Sequence, residues 1–191
     1  MFSSLEPVLV TSADLGGESR FSGYAYVGAD IILGSTGFDE WVAANPGIEF
    51  PQHQDGCYFH ARREADGWSV SGDFKGYCKI YFYQAGDRWA FSNSFAELID
   101  RVRSEGWAVT PETVLLKAWQ PMPTFWQQLA TIQTAVREIR LLPRRATLRA
   151  GTGGIRWESP PPEAASPDPD QYSERLSLFL EQWVGRILTV F

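Results

Sequence analysis

Cysteine is scarce in this chain: Cys57 and Cys78 are the only two among its 191 residues. A single pair of cysteines does not form the framework of several disulfides that stabilises small secreted domains. The chain also has no apolar run of the roughly 18 residues that a membrane-spanning helix needs, and no signal peptide opens it. We therefore expect a cytoplasmic protein with no membrane partner, whose cysteines are small apolar residues of strands.

Positive charge is also in short supply, because 17 Lys and Arg residues face 23 Asp and Glu residues and give a net charge of -6. A surface that binds nucleic acid needs a concentration of positive charge to contact the phosphates. Charge runs within such a chain are usually a solvated face of helices and turns. The sequence therefore predicts no nucleic-acid partner. The only local candidate for such a surface is a group of five arginines, Arg137, Arg140, Arg144, Arg145 and Arg149.

Metal ligands are few, and their spacing argues against a metal site. His53, Cys57 and His60 lie close in sequence, but a zinc site needs three or four side chains that converge. Side chains alternate between the two faces of a strand, so Cys57 and His60 point in opposite directions. The glycine-rich stretch Gly151–Gly154 lacks the lysine and the following helix of a phosphate-binding loop. We therefore expect no metal and no cofactor in this chain.

Gly56–Leu98 is the most informative stretch of the sequence. Four apolar segments alternate there with turn residues, among them Asp73–Gly76, and this spacing is typical of an antiparallel meander. Ser94 then begins a helix, because Ser94 and Glu97 have the spacing of a capping box, and Gly106 is expected to end it as a C-cap. The four predicted strands are Cys57–Ala61, Trp68–Ser71, Cys78–Tyr83 and Trp89–Ser92.

Further strands and helices are predicted on both sides of this stretch. Gly34–Gly37 is predicted to be a turn, and Thr110-Pro111 has the form of a helix start with Pro at the first helical position. The whole pattern predicts an α+β fold. The predicted elements are strands at Pro7–Val10, Phe21–Val27 and Ile31–Leu33, helices that begin at Phe38, Thr110 and Thr124, and a closing hairpin of Thr147–Ala150 with Ile155–Trp157.

The composition divides the chain into three parts. Residues 1–158 have the pattern of one domain, and residues 159–171 are an acidic, proline-rich linker that is too poor in apolar residues to pack. Residues 172–191 contain a strongly amphipathic helix. Its apolar face needs a partner surface, either this domain, a second copy or the rest of a longer protein. The interface residues that we predict on that face are Leu176, Phe179, Leu180, Trp183 and Ile187.

Three segments carry a resemblance to a known family. Asp55–Phe59 is similar to the family's G-x-F-A-F strand, and Ile139–Pro143 is similar to its I-x-x-L-x-P-G segment. Gly72–Tyr83, followed by Trp89–Ser94, is similar to the block R-D-x-x-G-x-x-P-L-Y-Y … F-A-S-E. Residues 54–157 thus resemble the N-terminal, class II glutamine amidotransferase domain of asparagine synthetase-like enzymes. That group includes β-lactam and carbapenam synthetases and lasso-peptide cyclases.

The resemblance implies a fold and a larger enzyme. The implied fold is a four-layer αββα sandwich of the N-terminal nucleophile (Ntn) hydrolase type, followed by the C-terminal amphipathic helix, which resembles the first helix of a synthetase domain. In these enzymes the synthetase domain uses ATP and Mg²⁺ to form an amide. Its S-G-G-x-D-S loop is not in this sequence, and we expect it beyond Phe191. The implied partner is that synthetase domain.

The chemistry of an active amidotransferase is missing. Active members expose an N-terminal cysteine whose thiol attacks glutamine, with the α-amine as base. Position 2 is Phe2, and exposing Ser3 or Ser4 instead would require extra processing. The glutamine-binding N-G-E segment also has no counterpart. Asp73 matches the family's Asp, which holds the α-amino group of glutamine, so it either belongs to a vestigial pocket or is a turn residue that caps its own loop.

Two functions follow, from different classes. The first is a non-catalytic amidotransferase-like domain that covers and supports the synthetase domain of an ATP-dependent, amide-forming enzyme. The second is a stand-alone binding or assembly module that self-associates through helix 172–188. In both cases we expect no catalytic residue in this chain.

Overall fold

The computed structural model describes residues 5–14, 17–120 and 131–160. It also describes six helical residues near the C-terminus, Ser177, Leu178, Leu180, Glu181, Val184 and Gly185. The chain divides into two units, Met1–Ser159 and Pro160–Phe191. The start of the helix predicted from Thr124 lies outside the described residues, and most of the predicted linker lies outside them as well.

The described residues of the first unit form ten strands and three α-helices. In chain order these are β1 (Leu9–Thr11), β2 (Arg20–Val27), β3 (Asp30–Leu33), α1 (Gly34–Ala44), β4 (Asp55–Glu64), β5 (Gly67–Gly72), β6 (Tyr81–Ala85), β7 (Arg88–Ser92), α2 (Phe95–Ser104), α3 (Thr113–Trp119), β8 (Ile139–Leu141), β9 (Thr147–Gly151) and β10 (Gly154–Glu158).

The strands form two antiparallel sheets. The four-stranded sheet has the order β1-β7-β6-β8, and the six-stranded sheet has the order β10-β9-β5-β4-β2-β3. The predicted α+β class is confirmed. The predicted closing hairpin is confirmed as well, because β9 pairs with β10 from Thr147 opposite Glu158 to Gly151 opposite Gly154.

The prediction of one central meander is wrong. Strands β4 and β5 pair in the six-stranded sheet, whereas β6 and β7 pair in the four-stranded sheet. Both edges of β5 are occupied, by β4 and β9, and both edges of β6 are occupied, by β7 and β8. The connection from Gly72 to Ile80 therefore carries the chain from one sheet to the other. Cys78–Ile80, predicted as the start of a strand, belongs to this connection.

One apolar core lies between the two sheets. Phe59 of the six-stranded sheet lies 6.2 Å from Phe91 of the four-stranded sheet, measured between ring centroids. Trp68 meets the same Phe91 ring edge-on at 6.3 Å. The indole Nε1 of Trp89 donates a hydrogen bond of 2.9 Å to the carbonyl of Gly151 in the opposite sheet. The sheets therefore pack face to face, as two-layer β structures do.

Each sheet also packs a helix on its other face. Helix α1 buries Phe38 and Trp41 against residues of β2, β3 and β4, and the Phe38 ring stacks on Phe21 at 5.0 Å. Helix α2 buries Leu98 and Val102 against β6, β7 and β8. In both helices these residues follow the helical period, so one face is apolar.

Helix α2 begins and ends as its sequence predicts. The hydroxyl Oγ of Ser94 accepts a hydrogen bond from the amide of Glu97 at 3.3 Å, which is the first half of a capping box. The amide of Ser94 donates to Oγ of Ser92 instead of to Glu97. At the other end, Gly106 has a φ of 67°, a left-handed conformation that glycine adopts without strain.

Two other helix starts differ from prediction. Helix α1 begins at Gly34, so the predicted turn at Gly34–Gly37 is its first turn. Helix α3 begins three residues after Thr110, and Glu112 caps it by accepting from the amide of Val114 at 3.4 Å. Pro111 forms an isolated bridge with Val136, and this pairing holds the segment extended.

Among the described residues, no helix has the length and apolar character that crossing a membrane requires.

His60 provides a test of the packing beneath helix α1. It is 4% exposed, and its ring lies 4.9 Å from Phe50 and 5.1 Å from Phe38. Burial lowers the pKa of His60 to about 4, and the charge of Arg62 lowers it further. In the unfolded chain the pKa of His is about 6.5, so the unfolded state binds the proton first as pH falls. Neutral His60 therefore contributes its full stabilisation of the folded state above about pH 6.5, and this contribution is lost as the pH falls toward 4.

We predict that the His60→Leu variant loses this part of the pH dependence. The unfolding free energy of the wild-type chain should fall by about 3 kcal/mol from this group between pH 7 and pH 4, measured by urea denaturation. His53→Asn is the control, because asparagine suits the φ of 55° at that position and His60 remains. Equal pH dependence in His60→Leu and wild type would contradict the prediction.

Candidate functional site

Asp73 closes the connection between the two sheets. Its side chain is buried, and its two carboxylate oxygens each accept a backbone hydrogen bond: Oδ1 from the amide of Tyr77 at 2.9 Å and Oδ2 from the amide of Cys78 at 2.8 Å. The Asp73 carbonyl also accepts from the amide of Gly76 at 3.1 Å. These contacts match the reading in which Asp73 caps its own loop, while a ligand role for it stays a prediction.

A cavity of about 320 Å³ lies beside Asp73. It lies between the Gly72–Ile80 connection and the segment Leu141–Ala146, with Thr131 and Ile132 at its side, and we call it the turn cavity. Its lining includes the buried apolar residues Cys78, Ile80, Leu142 and Ala146. Its charged lining residues are Asp73, Lys75, Lys79, Arg144 and Arg145.

Neither cysteine has the environment of a nucleophile. Both thiols are free. Burial raises the pKa of Cys78 strongly and also raises the pKa of Cys57, and the nearby charge of Asp73 acts in the same direction on both. A thiol with a raised pKa carries little of the reactive thiolate at neutral pH. The two cysteines are therefore packing residues of the core between the sheets, Cys57 on β4 and Cys78 in the connection.

The three metal candidates do not come together. Cys57 packs against the core between the sheets, whereas His60 lies on the opposite face of β4 under α1, so the predicted opposite orientation is confirmed. His53 lies within 3.3 Å of Oγ1 of Thr147, measured from its Nε2. Among the described residues, no group of three or more His, Cys, Asp or Glu side chains has a geometry that could hold a metal ion.

The first described residues contact both sheets. The carbonyl of Glu6 accepts a hydrogen bond of 2.7 Å from Oγ of Ser22 in the six-stranded sheet. It also accepts one of 3.0 Å from Nδ2 of Asn93, directly after the four-stranded sheet's β7. Oδ1 of Asn93 accepts in return from the amide of Val8 at 2.7 Å. The described residues just before β1 therefore contact both sheets.

The five arginines do not form one surface. Arg137 pairs with Glu112 at 3.4 Å, and Arg149 pairs with Glu64 at 3.1 Å. Arg140 lines a different cavity, together with Arg137 and Glu138. Only Arg144 and Arg145 line the turn cavity. The five arginines are close in sequence, but the fold places them at different sites.

Of the predicted interface residues, only Leu180 lies among the described residues. Its side chain is 50% exposed, and Val184, one helical turn later, is 49% exposed. Residues four apart share one face of a helix. The predictions for Leu176, Phe179, Trp183 and Ile187 lie outside the described residues.

The sequence did not predict the turn cavity, although the charged residues that line it are grouped in the sequence. Lys75 lies within the Asp73–Gly76 turn and Lys79 follows it, and Arg144 and Arg145 follow Pro143. Each pair of cations beside a turn was a signal for a charged loop. The signal that these two loops face each other is absent, because it depends on strand pairing between distant segments.

Comparison with known proteins identifies no relative: the chain matches no protein-family model and no curated protein. The resemblance to asparagine synthetase-like enzymes therefore rests on the quoted motifs and remains a proposal.

We predict that Asp73→Ala lowers the unfolding free energy by about 2–4 kcal/mol, because one buried and one partly buried amide lose a charged acceptor. Asp73→Asn should cost less, since one acceptor oxygen remains. Asp39→Ala, an exposed position of α1, is the control and should change stability by less than about 0.5 kcal/mol. Chemical denaturation measures all three. A cost for Asp73→Ala as small as that of the control would contradict the loop-closing role.

Proposed function

We propose that this chain contains a non-catalytic glutamine amidotransferase-like domain with the αββα architecture of Ntn hydrolases. Its role is to cover and support the synthetase domain of an asparagine synthetase-like, amide-forming enzyme in the cytoplasm. The observation that carries the proposal is the packing order, in which a helix, the six-stranded sheet, the four-stranded sheet and a second helix follow one another.

The N-terminal segment adds support. An Ntn-type enzyme attacks its substrate with the first residue of the mature chain. Here the described residues before β1 contact both sheets, because the carbonyl of Glu6 accepts hydrogen bonds from Ser22 and Asn93. A chain start close to both sheets is what an N-terminal nucleophile would need in the proposed fold.

The side chains favour loss of the glutaminase reaction. Cys57 and Cys78 have raised pKa values and lie in packed positions, so neither replaces an N-terminal nucleophile. The Asp73 carboxylate is directed at two backbone amides of its own loop. We infer that what remains of the glutamine pocket at Asp73 is its structural part.

The partner in this proposal is a synthetase domain, on the same or on a second polypeptide. ATP and Mg²⁺ belong to that domain, and no residue of this chain is assigned to them. Helix 172–188 would provide the contact, and the half-exposed Leu180 and Val184 are the described residues that favour it. The same two residues also favour the second candidate, self-association of a binding module.

We predict that the purified protein releases no ammonia from L-glutamine above a blank without protein, since it lacks an activated nucleophile. A coupled glutamate dehydrogenase assay measures the release, and an active class II amidotransferase serves as the positive control. Steady release that is abolished by Ser3→Ala, Ser4→Ala or Cys57→Ala would contradict the proposal and name the nucleophile.

We predict that Leu180→Glu weakens the complex with the synthetase protein of the same genome that carries the S-G-G-x-D-S loop. A charge at an apolar contact is desolvated without a partner, so the dissociation constant should rise at least about tenfold. Glu181→Gln, at an exposed neighbouring position, is the control. Analytical ultracentrifugation separates the alternatives. A dimer of the isolated wild-type chain that Leu180→Glu converts to monomer, with no synthetase complex, would favour the assembly module instead.

A further inference from the structure

The turn cavity is lined mainly by cationic side chains, although the protein as a whole is acidic. Among the described residues that line it, four are cationic, Lys75, Lys79, Arg144 and Arg145, and one, Asp73, carries a carboxylate. The lining therefore carries three more positive than negative charges, although the whole chain has a net charge of -6. Concentrating like charges in one concave surface costs electrostatic free energy unless an anion occupies it.

A second cavity of equal size serves as an internal comparison. It lies at the turn between β9 and β10 and also has a volume of about 320 Å³. Its charged lining residues are Glu64, Asp66, Arg149 and Arg156, two of each sign. Arg149 there is paired with Glu64 at 3.1 Å. The excess of positive charge is thus a property of the turn cavity and does not follow from its size or from its position at a turn.

Asp73 does not neutralise Lys79 and Arg144. Both oxygens of that carboxylate accept from backbone amides. The Nζ of Lys79 donates to the neutral carbonyl of Gly76 at 2.8 Å. No ion pair joins Lys79 or Arg144 to a carboxylate within the described parts of the chain. These two side chains therefore keep charge-assisted donors for a ligand.

The two facing turns hold the cations in fixed positions. Arg145 adopts a φ of 63°, an unusual left-handed conformation for a residue with a side chain, and its guanidinium lies 4.9 Å from the centre of the Phe74 ring. Gly76 has a φ of 70°, and a Cβ there would lie 3.3 Å from Cγ of Arg144. The stem of Arg144 thus packs on the opposite turn. Backbone strain of this kind is found at binding sites more often than elsewhere.

The size and the floor of the cavity restrict the ligand. A volume of about 320 Å³ is at the lower end for small-molecule sites, and the floor is apolar. Guanidinium groups form two parallel hydrogen bonds with phosphate or carboxylate oxygens, and ammonium groups add charge. Among the described residues, Arg137, Arg140 and Arg149 lie in other pairs or cavities, so they do not extend this group of cations into a basic track for a nucleic acid.

We propose that the turn cavity is a binding site for a small oxyanion with two or more negative charges, a phosphate ester, pyrophosphate or polycarboxylate. Arg144 and Lys79 contact the oxyanion directly. Phe74 and Gly76 position the cationic side chains. This site does not depend on the proposed amidotransferase-like role.

Isothermal titration calorimetry of the full chain with sodium pyrophosphate, and separately with sodium citrate, tests the site in a low-salt buffer free of phosphate and sulfate. The wild-type protein should bind at least one of the two with a stoichiometry of one. The double variant Lys79→Ala/Arg144→Ala should weaken that binding at least about tenfold, because two charge-assisted contacts are lost. Tighter binding of pyrophosphate identifies a phosphate ligand, and tighter binding of citrate identifies a polycarboxylate.

The control variant is Arg103→Ala/Lys117→Ala, which removes two exposed cations from α2 and α3 and gives the same net charge. It should retain wild-type affinity, and circular dichroism should show that both double variants are folded at the temperature of the titration. Absence of saturable binding of both anions by the wild type would overturn the proposal. Equal weakening in the control would also overturn it, as would tighter binding of a short single-stranded RNA that is lost in Lys79→Ala/Arg144→Ala.

Discussion

A single buried carboxylate holds the segment on which both sheets depend. Asp73 binds the amides of Tyr77 and Cys78 and so fixes the path by which the chain leaves β5 and enters β6. Because β5 belongs to one sheet and β6 to the other, this path also fixes how the two sheets meet. A charged acceptor that serves two backbone donors is among the stronger polar interactions inside a protein.

The apolar core between the sheets supplies most of the remaining stability. Replacing a buried Phe or Trp with Ala costs about 3–5 kcal/mol, and Phe59, Trp68, Trp89 and Phe91 are all buried there. Surface ion pairs contribute about 0–1 kcal/mol each. The pair of Arg62 with Glu49 is of that kind, since the Glu49 side chain is 80% exposed. The aromatic core therefore outweighs the ion pairs on the six-stranded sheet, and the Asp73 connection acts by aligning that core.

Local signals in the sequence predicted local structure well. The cap at Ser94, the end of α2 at Gly106, the closing hairpin and the opposite orientation of Cys57 and His60 each depend on a few neighbouring residues. Long-range pairing was not predictable in this way. The apolar residues Cys78–Ile80 have the pattern of a strand, yet they lie in the connection, because the edges of both flanking strands are occupied elsewhere. Helix α3 begins later than predicted because Pro111 pairs with the distant residue Val136, and this long-range pairing keeps Pro111 extended.

The candidate site also has a part that local sequence predicts and a part that depends on long-range pairing. Asp73 was identified as a turn residue from its own neighbourhood, whereas the turn cavity requires the β8–β9 connection with Arg144 and Arg145 to meet the β5–β6 connection with Lys75 and Lys79. The amidotransferase-like proposal draws on the order of layers, which depends on the connection closed by Asp73. Amide hydrogen exchange of Tyr77 and Cys78, followed by NMR, tests that connection most directly. The account predicts that both amides exchange at least about a hundredfold more slowly than unprotected peptide groups. Exchange of both at the unprotected rate, while the amides of Tyr81–Ala85 stay protected, would contradict it.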